Sequence, residues 1–209
     1  MISWTQSIID AFLSMPLWEL AAVMLAIIYL LLAIRENVLC WFFAFISTAI
    51  YTVLFWDVSL LMDSALNVYY MAMAVFGWYQ WTRGGNSQGD SQPLAVQSMS
   101  YQQQVLVIAA IVVLSFTSGY LLSEHSTAAW PYVDSFTTWA SVITTYLVTR
   151  KYLQNWLYWI VIDAVSVPLY IERGLNLTAL LFVAYIVIAV VGYFSWRERL
   201  RKNEQVLAS

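Results

Sequence analysis

The sequence predicts an all-α membrane protein of seven transmembrane helices, and three observations predict it: an apolar composition, seven long apolar stretches, and an internal repeat that groups them three, one and three. Apolar residues make up 62% of the 209, charged residues only 10%, and the mean hydropathy is +0.70. Such a chain cannot hide its apolar atoms from water, so lipid must be its solvent. The stretches cover 17–34, 38–56, 60–81, 105–122, 132–149, 156–171 and 175–196. Most reach the ~17 to 25 residues needed to cross a ~30 Å hydrocarbon core, the sixth being at the short end. Helices follow because a bilayer offers no water to backbone groups, and the alternation of a barrel strand is missing.

Taken in order, the first sixteen residues hold no Lys or Arg and carry Asp10, unlike the positive start of a cleavable signal, so the N-terminus is expected to be retained. Ile8, Ile9, Phe12 and Leu13 have the spacing of a short helix lying in the interface. The seven spans follow. Between the third and fourth, the loop 83–104, beginning GGNSQGDSQP after Arg83, reads as a flexible linker without a core. A tail at 197–209 closes the chain. Trp4, Trp18, Trp56, Trp81, Trp130 and Trp196 lie near span ends, where an interfacial aromatic belt accounts for them. A single cysteine, Cys40, excludes an internal disulfide and a cysteine-based metal site; no metal and no cofactor are expected.

Charge orients the spans. With the N-terminus outside, the inner segments hold Arg35, Arg83, Arg150, Lys151, Arg197, Arg199, Arg201 and Lys202, and the outer side keeps only Arg173. Eight against one places the C-terminus in the cytoplasm of a multi-pass inner-membrane protein.

Sliding the chain by 115 positions pairs Arg35 with Arg150, Trp41 with Trp156, Ala49 with Ala164, Leu54 with Leu169 and Leu60 with Leu175, without a gap. The register continues through Leu66 and Leu181, Val68 and Val183, Tyr70 and Tyr185, Ala74 and Ala189, Val75 and Val190, Gly77 and Gly192, Trp81 and Trp196. Glu19 falls opposite Asp134. A single transmembrane domain results: repeat one at about 17–82, a connector helix at about 105–122, and repeat two at about 132–196. A shift of four spans preserves direction, so the repeats are parallel, as in the SWEET sugar carriers, where substrate sits near the midplane between halves.

Ionisable side chains inside spans are costly and point to function. Asp63 in the third span and Asp163 in the sixth qualify, and no Lys, Arg or His lies in any span to pair with them. Water, protonation or a cationic ligand must accommodate the two carboxyls. Asp63, Asn67, Tyr70 and Trp78 share one helical face; Trp156, Trp159, Asp163, Ser166 and Tyr170 share another. The second stripe maps by the repeat onto Trp41, Ala44, Thr48, Tyr51 and Phe55, and the first onto Thr178, Phe182, Tyr185 and Tyr193. Thr138, Ser141 and Thr145 follow one face of the fifth span, where hydrogen bonds between helices account for them. Aromatic rings interleaved with carboxylates suit a flat heteroaromatic cation bearing hydroxyls, which the rings can stack on and the Asn and Asp can hydrogen-bond. For Trp41 and Trp156, near their span ends, packing remains the alternative.

Asn67 to Tyr70 resembles the NxxY motif, and Gln154, Asn155, Trp156 and Trp159 the QNWxxW motif, of the PnuC family of bacterial nicotinamide riboside transporters. Asp163 and the pattern Leu175, Leu177, Thr178, Ala179, Leu180, Leu181 and Tyr185 are also similar to that family, and the resemblance runs over essentially the whole chain. It implies facilitated diffusion of nicotinamide riboside, trapped inside by a cytoplasmic kinase, and a homotrimer in the lipid bilayer. It implies a substrate site of Asn67, Tyr70, Trp159 and Asp163, with Trp156, Asp63, Gln154 and Trp41 nearby. Relatives of that fold carry thiamine or riboflavin, so thiamine is the alternative substrate, and a non-transporting structural subunit the alternative role. No nucleic acid partner is expected. A retinal protein is excluded because Lys151 and Lys202, the two lysines, lie outside every span. An enzyme lacks its parts: the one histidine, His125, is in a loop, and no phosphate-binding glycine loop is present.

Overall fold

The computed structural model describes residues 4–57, 61–84, 93–125 and 130–208, and within them the chain is helical apart from short connections. Eight helices are described: α1 (Trp4–Ser14), α2 (Leu17–Ile34), α3 (Cys40–Asp57), α4 (Leu61–Arg83), α5 (Tyr101–His125), α6 (Pro131–Thr149), α7 (Asn155–Glu172) and α8 (Asn176–Ala208). α1 is the short N-terminal helix expected ahead of the spans, and it packs on α8. α2 to α8 each fall on one of the seven apolar stretches. α8 does not stop at the expected span end but runs through the tail to Ala208.

Four helices, α2, α3, α5 and most of α8, are long and apolar enough to cross a membrane by length and composition. The other three long helices are diluted with polar residues, and the contacts show where those go. α4 packs on α6 and α6 on α7, and these helices bury Asn67, then Ser141, Thr144, Thr145 and Thr149, then Asp163 and Ser166. Polar side chains thus turn inward while Leu31, Phe42, Val113, Val187 and Phe194 point outward, the arrangement lipid imposes.

We refer to α2–α4 and α6–α8 as two groups. α2, α3 and α4 pack consecutively, and so do α7 and α8 with α6 beside α7; α5 lies on α6. The groups meet through α4 against α6 and α8 against α2. Close approach inside each group depends on glycine. Any Cβ at Gly77 would collide with the Trp41 ring, and one at Gly192 would fall 2.7 Å from the Trp156 ring. The two glycines let α4 and α8 lie directly against tryptophans of the preceding helices.

The loop read as a flexible linker is seated in its second half, where residues 93–100 form a strap with Leu94, Val96 and Met99 buried and Leu94 and Val96 packed in the core of the bundle. Gln97 pairs in parallel with Tyr152, its N–H donating to the Lys151 carbonyl (3.0 Å) and its carbonyl accepting from Leu153 N–H (2.9 Å). The Gly- and Ser-rich stretch 85–92 lies outside the described residues. Composition averaged over the whole loop hides the apolar alternation Leu94, Val96, that seats its second half.

Candidate functional site

Tyrosines and carboxyls of both groups come within electrostatic reach of one another. On α4, Asn67 is buried and its side-chain amide donates to the Asp63 carbonyl at 2.9 Å. One turn later Tyr70 is directed at Ser141 of α6 and lies within electrostatic reach of Tyr29 on α2 and Tyr170 on α7. On α7, Asp163 is only 4% exposed, and among the described residues no hydrogen bond or ion pair reaches its carboxyl. Its electrostatic neighbours are phenols, Tyr170 on its own helix and Tyr185 on α8, and Tyr185 is in turn close to Tyr51 of α3. Tyr170, Phe182 and Tyr185 form an aromatic series with ring centroids 4.8 and 5.7 Å apart.

Pro168 explains part of this local chemistry. It sits inside α7, where it cannot donate to the Ala164 carbonyl four residues back, and so frees backbone polarity on the residue next to Asp163. Within a membrane such a freed carbonyl is tolerated where it faces protein or a polar cavity.

The expected site residues separate into three places. Asp63, Tyr70 and Asp163 share Tyr170 as an electrostatic neighbour, and Asn67 lies one turn after Asp63 on α4. Asp63 is the outermost, exposed on the first turn of α4, with Asp134 and Arg173 near it. Trp159 is half-buried and bridges two clusters, packing against the cluster of Ile111, Ala140 and Ile162 on one side and a tryptophan cluster on the other. Trp41 and Trp156 are in that cluster, fully packed, at the end of the bundle away from Asp63. Trp41 meets Trp81 edge-on at 5.2 Å, Trp156 meets Trp196 edge-on at 5.4 Å, and Trp81 and Trp196 touch at 5.9 Å. Gln154 faces the strap: its carbonyl accepts from Met99 N–H (3.0 Å) and its amide donates to Ser98 Oγ (2.8 Å).

Tyr29 was missed by sequence reasoning, although a lone tyrosine in the otherwise aliphatic run AIIYLLLAI is a usable signal. Tyr51, Tyr170 and Tyr185 lay on the marked stripes but were not singled out as site residues. Chemically, the centre offers rings for stacking, hydroxyls for hydrogen bonds and an unpaired carboxyl, with no nucleophile–base pair and, among the described residues, no cluster of metal-ligating side chains.

Apolar helices with polar faces turned inward define a multi-pass membrane protein. A family model described as nicotinamide mononucleotide transporter matches residues 16–198, and the chain belongs to that family of transporters, which are not enzymes. The chain is 24% identical over 196 residues to the nicotinamide riboside transporter PnuC of Escherichia coli, covering 82% of this chain and 81% of that one. It is 25% identical over 182 residues to the riboflavin/roseoflavin transporter RibM of Streptomyces davaonensis, covering 87% and 84%. In fold it matches the crystal structure of the vitamin B3 transporter PnuC with a TM-score of 0.72 at 21% identity, over 95% of this chain and 88% of that one.

Proposed function

We propose that this protein takes up nicotinamide riboside across a bacterial inner membrane. The observation that carries the reading is the unpaired Asp163 beside Tyr170 and Tyr185, with Tyr170 in turn near Tyr70 and Asp63 of α4, in a chain of this transporter family. A cationic pyridinium ring stacks on aromatic faces and balances a carboxylate, and a ribose diol hydrogen-bonds to Asn and Asp side chains. Among the described residues no cationic side chain pairs with Asp163. The substrate site comprises Asn67, Tyr70 and Asp163, with Trp159 and Asp63 at its two edges, whereas Trp41 and Trp156 are taken up in packing and Gln154 in holding the strap. Transport is facilitated diffusion, made one-way by a cytoplasmic kinase that phosphorylates the product.

The architecture proposed for this carrier is a parallel 3+1+3 repeat, with α2–α4 and α6–α8 as repeats, α5 as connector, and α1 in the interface. Its support is the ungapped offset of 115 together with equivalent interactions at that offset. Trp81 Nε1 donates to the Val148 carbonyl and Trp196 Nε1 to the Ala33 carbonyl, both pairs of positions being 115 apart. The eight-to-one distribution of Lys and Arg favours a periplasmic N-terminus and a cytoplasmic C-terminus. The assembly is a homotrimer.

A second reading, a flavin carrier, is favoured by the similarity to RibM. The unpaired carboxyl argues for a cation such as nicotinamide riboside, or the alternative thiamine, over a neutral flavin. Counterflow in reconstituted vesicles decides: labelled nicotinamide riboside should exchange, with labelled thiamine and riboflavin exchanging more slowly. Exchange of riboflavin alone would replace the pyridinium reading by the flavin one.

A further inference from the structure

The two helix groups are fastened to each other at one end of the bundle. Away from that end, Tyr69 donates to the Val142 carbonyl and Tyr70 is directed at Ser141, both joining α4 to α6. The others gather at the arginine-rich end. Trp81 donates to the Val148 carbonyl (3.2 Å), Trp196 to the Ala33 carbonyl (3.1 Å), and Arg150 to Gln80 Oε1 (3.3 Å). The acceptors Ala33 and Val148 lie in the last turns of α2 and α6, and each carbonyl also accepts a backbone N–H at 3.0 Å, from Glu36 and Lys151 respectively.

At the centre of this fastening is a charge pair. Lys151 Nζ lies 2.8 Å from Glu36 Oε2 and 4.5 Å above the Trp81 ring, and Lys151 is 4% exposed. Arg199 of α8 reaches the other Glu36 oxygen at 3.1 Å and the Arg35 carbonyl at 3.2 Å. Glu36 and Lys151 are the two non-glycine residues with positive φ among those described, at 55° and 52°, each in the turn that follows the first helix of its group. A left-handed turn residue is where a small change of φ and ψ swings one helix against another.

We propose that the Glu36–Lys151 pair, with the tryptophan row Trp41–Trp81–Trp196–Trp156 beside it, is the gate at this end of the transport path, closed in this structure and opened by parting of the two turns. As a permanent fastener the pair would be a poor choice, since an apolar contact of the same volume stabilises as much or more than a buried ion pair. As a latch it suits: its charges attract when the end is shut and are rehydrated when water enters. The indole hydrogen bonds part in the same motion, because each runs from the third helix of one group to the first helix of the other.

The inference rests on the transporter reading, and the protein carries its own reporter of the gate. Cys40, the single cysteine, is 0% exposed in the same cluster and within electrostatic reach of Lys151. In proteoliposomes, alkylation of Cys40 by a permeant maleimide should speed up about tenfold in Lys151→Met, the factor for losing about 1.4 kcal/mol of closed-state attraction. Lys151→Arg should restore the slow rate. Glu36→Gln, which keeps the size of the side chain, should also label faster, and serves where Lys151→Met does not fold. Nicotinamide riboside should change the wild-type labelling rate. Equal labelling of wild type, Lys151→Met and Glu36→Gln overturns the gate, as does a wild type that exchanges nicotinamide riboside while its labelling is blind to it. A wild type that exchanges none overturns the substrate reading, and the substitutions alone then decide the gate.

Discussion

The turn after α2 and the turn after α6 have one backbone and two different covers. In the first, Asn37 N–H returns to the Leu32 carbonyl at 3.0 Å; in the second, Tyr152 N–H returns to the Leu147 carbonyl at 3.0 Å. Both place a residue of positive φ at the same step, Glu36 in one and Lys151 in the other. Yet the first is covered by the extension of α8, through Ser195 to the Ile34 carbonyl (3.4 Å) and Arg199 to Arg35, and the second by the strap 93–100. The difference teaches that the backbone solution outlasts the side chains placed on it: equal turns have taken opposite charges, which pair with each other, and unrelated covers.

The largest test of this equivalence is steric. Gly77→Leu and Gly192→Leu each drive a side chain into a tryptophan ring at corresponding sites. Each should destabilise by about 3 kcal/mol, the upper range for overpacking a filled core, measured as loss of folded protein in detergent on heating. Similar losses support equivalent packing in the two groups. A tolerated leucine at one position alone would break it.

Function should divide the groups where packing does not. Asp163 and Trp159 have Thr48 and Ala44 at the corresponding positions, and Thr48 spends its hydroxyl on the Ala44 carbonyl (2.8 Å). Trp159→Ala should weaken nicotinamide riboside binding by about 1 to 3 kcal/mol, as measured for loss of aromatic stacking on bases. Asp163→Asn should cost about 1.5 to 3 kcal/mol, the worth of a hydrogen bond to a charged group, while Thr48→Val leaves affinity unchanged. Calorimetric titration of the purified protein reads all three. Wild-type affinity in both Trp159→Ala and Asp163→Asn removes the proposed site.

Much of this was legible from residue chemistry. The bounds of α2 follow directly from the apolar run after Pro16, and the Gly77–Trp41 and Gly192–Trp156 contacts join residues already paired by the offset. Tertiary partners were not legible. Nothing in the spacing of Gln154 shows that its amide is taken by Met99 and Ser98, because those lie across a loop whose composition reads as linker. Lys151 looked like an orienting positive charge at a span end; that it is buried over Trp81 and paired with Glu36 depends on two turns meeting in space. Pro168, visible in the sequence, acquires meaning only once α7 is seen to pass through it as a helix.

The smallest effects should separate the two covers. Arg199 is 42% exposed at its side chain, so its pair with Glu36 is wetted and screened, and Arg199→Ala should cost no more than about 1 kcal/mol, falling further at high salt. Gln97 donates its side-chain amide to the Arg150 carbonyl at 2.7 Å in a half-buried site. Removing it in Gln97→Ala leaves the backbone pairing to Lys151 and Leu153 intact and should cost about 0.5 to 1.5 kcal/mol with little salt dependence. Thermal unfolding in detergent at low and high salt measures both. The physical contrast is an ionic cover over one turn against a neutral hydrogen-bonded one over its equivalent. If Gln97→Ala proves the more salt-sensitive of the two, the strap is held by charge, and the distinction drawn between the covers is wrong.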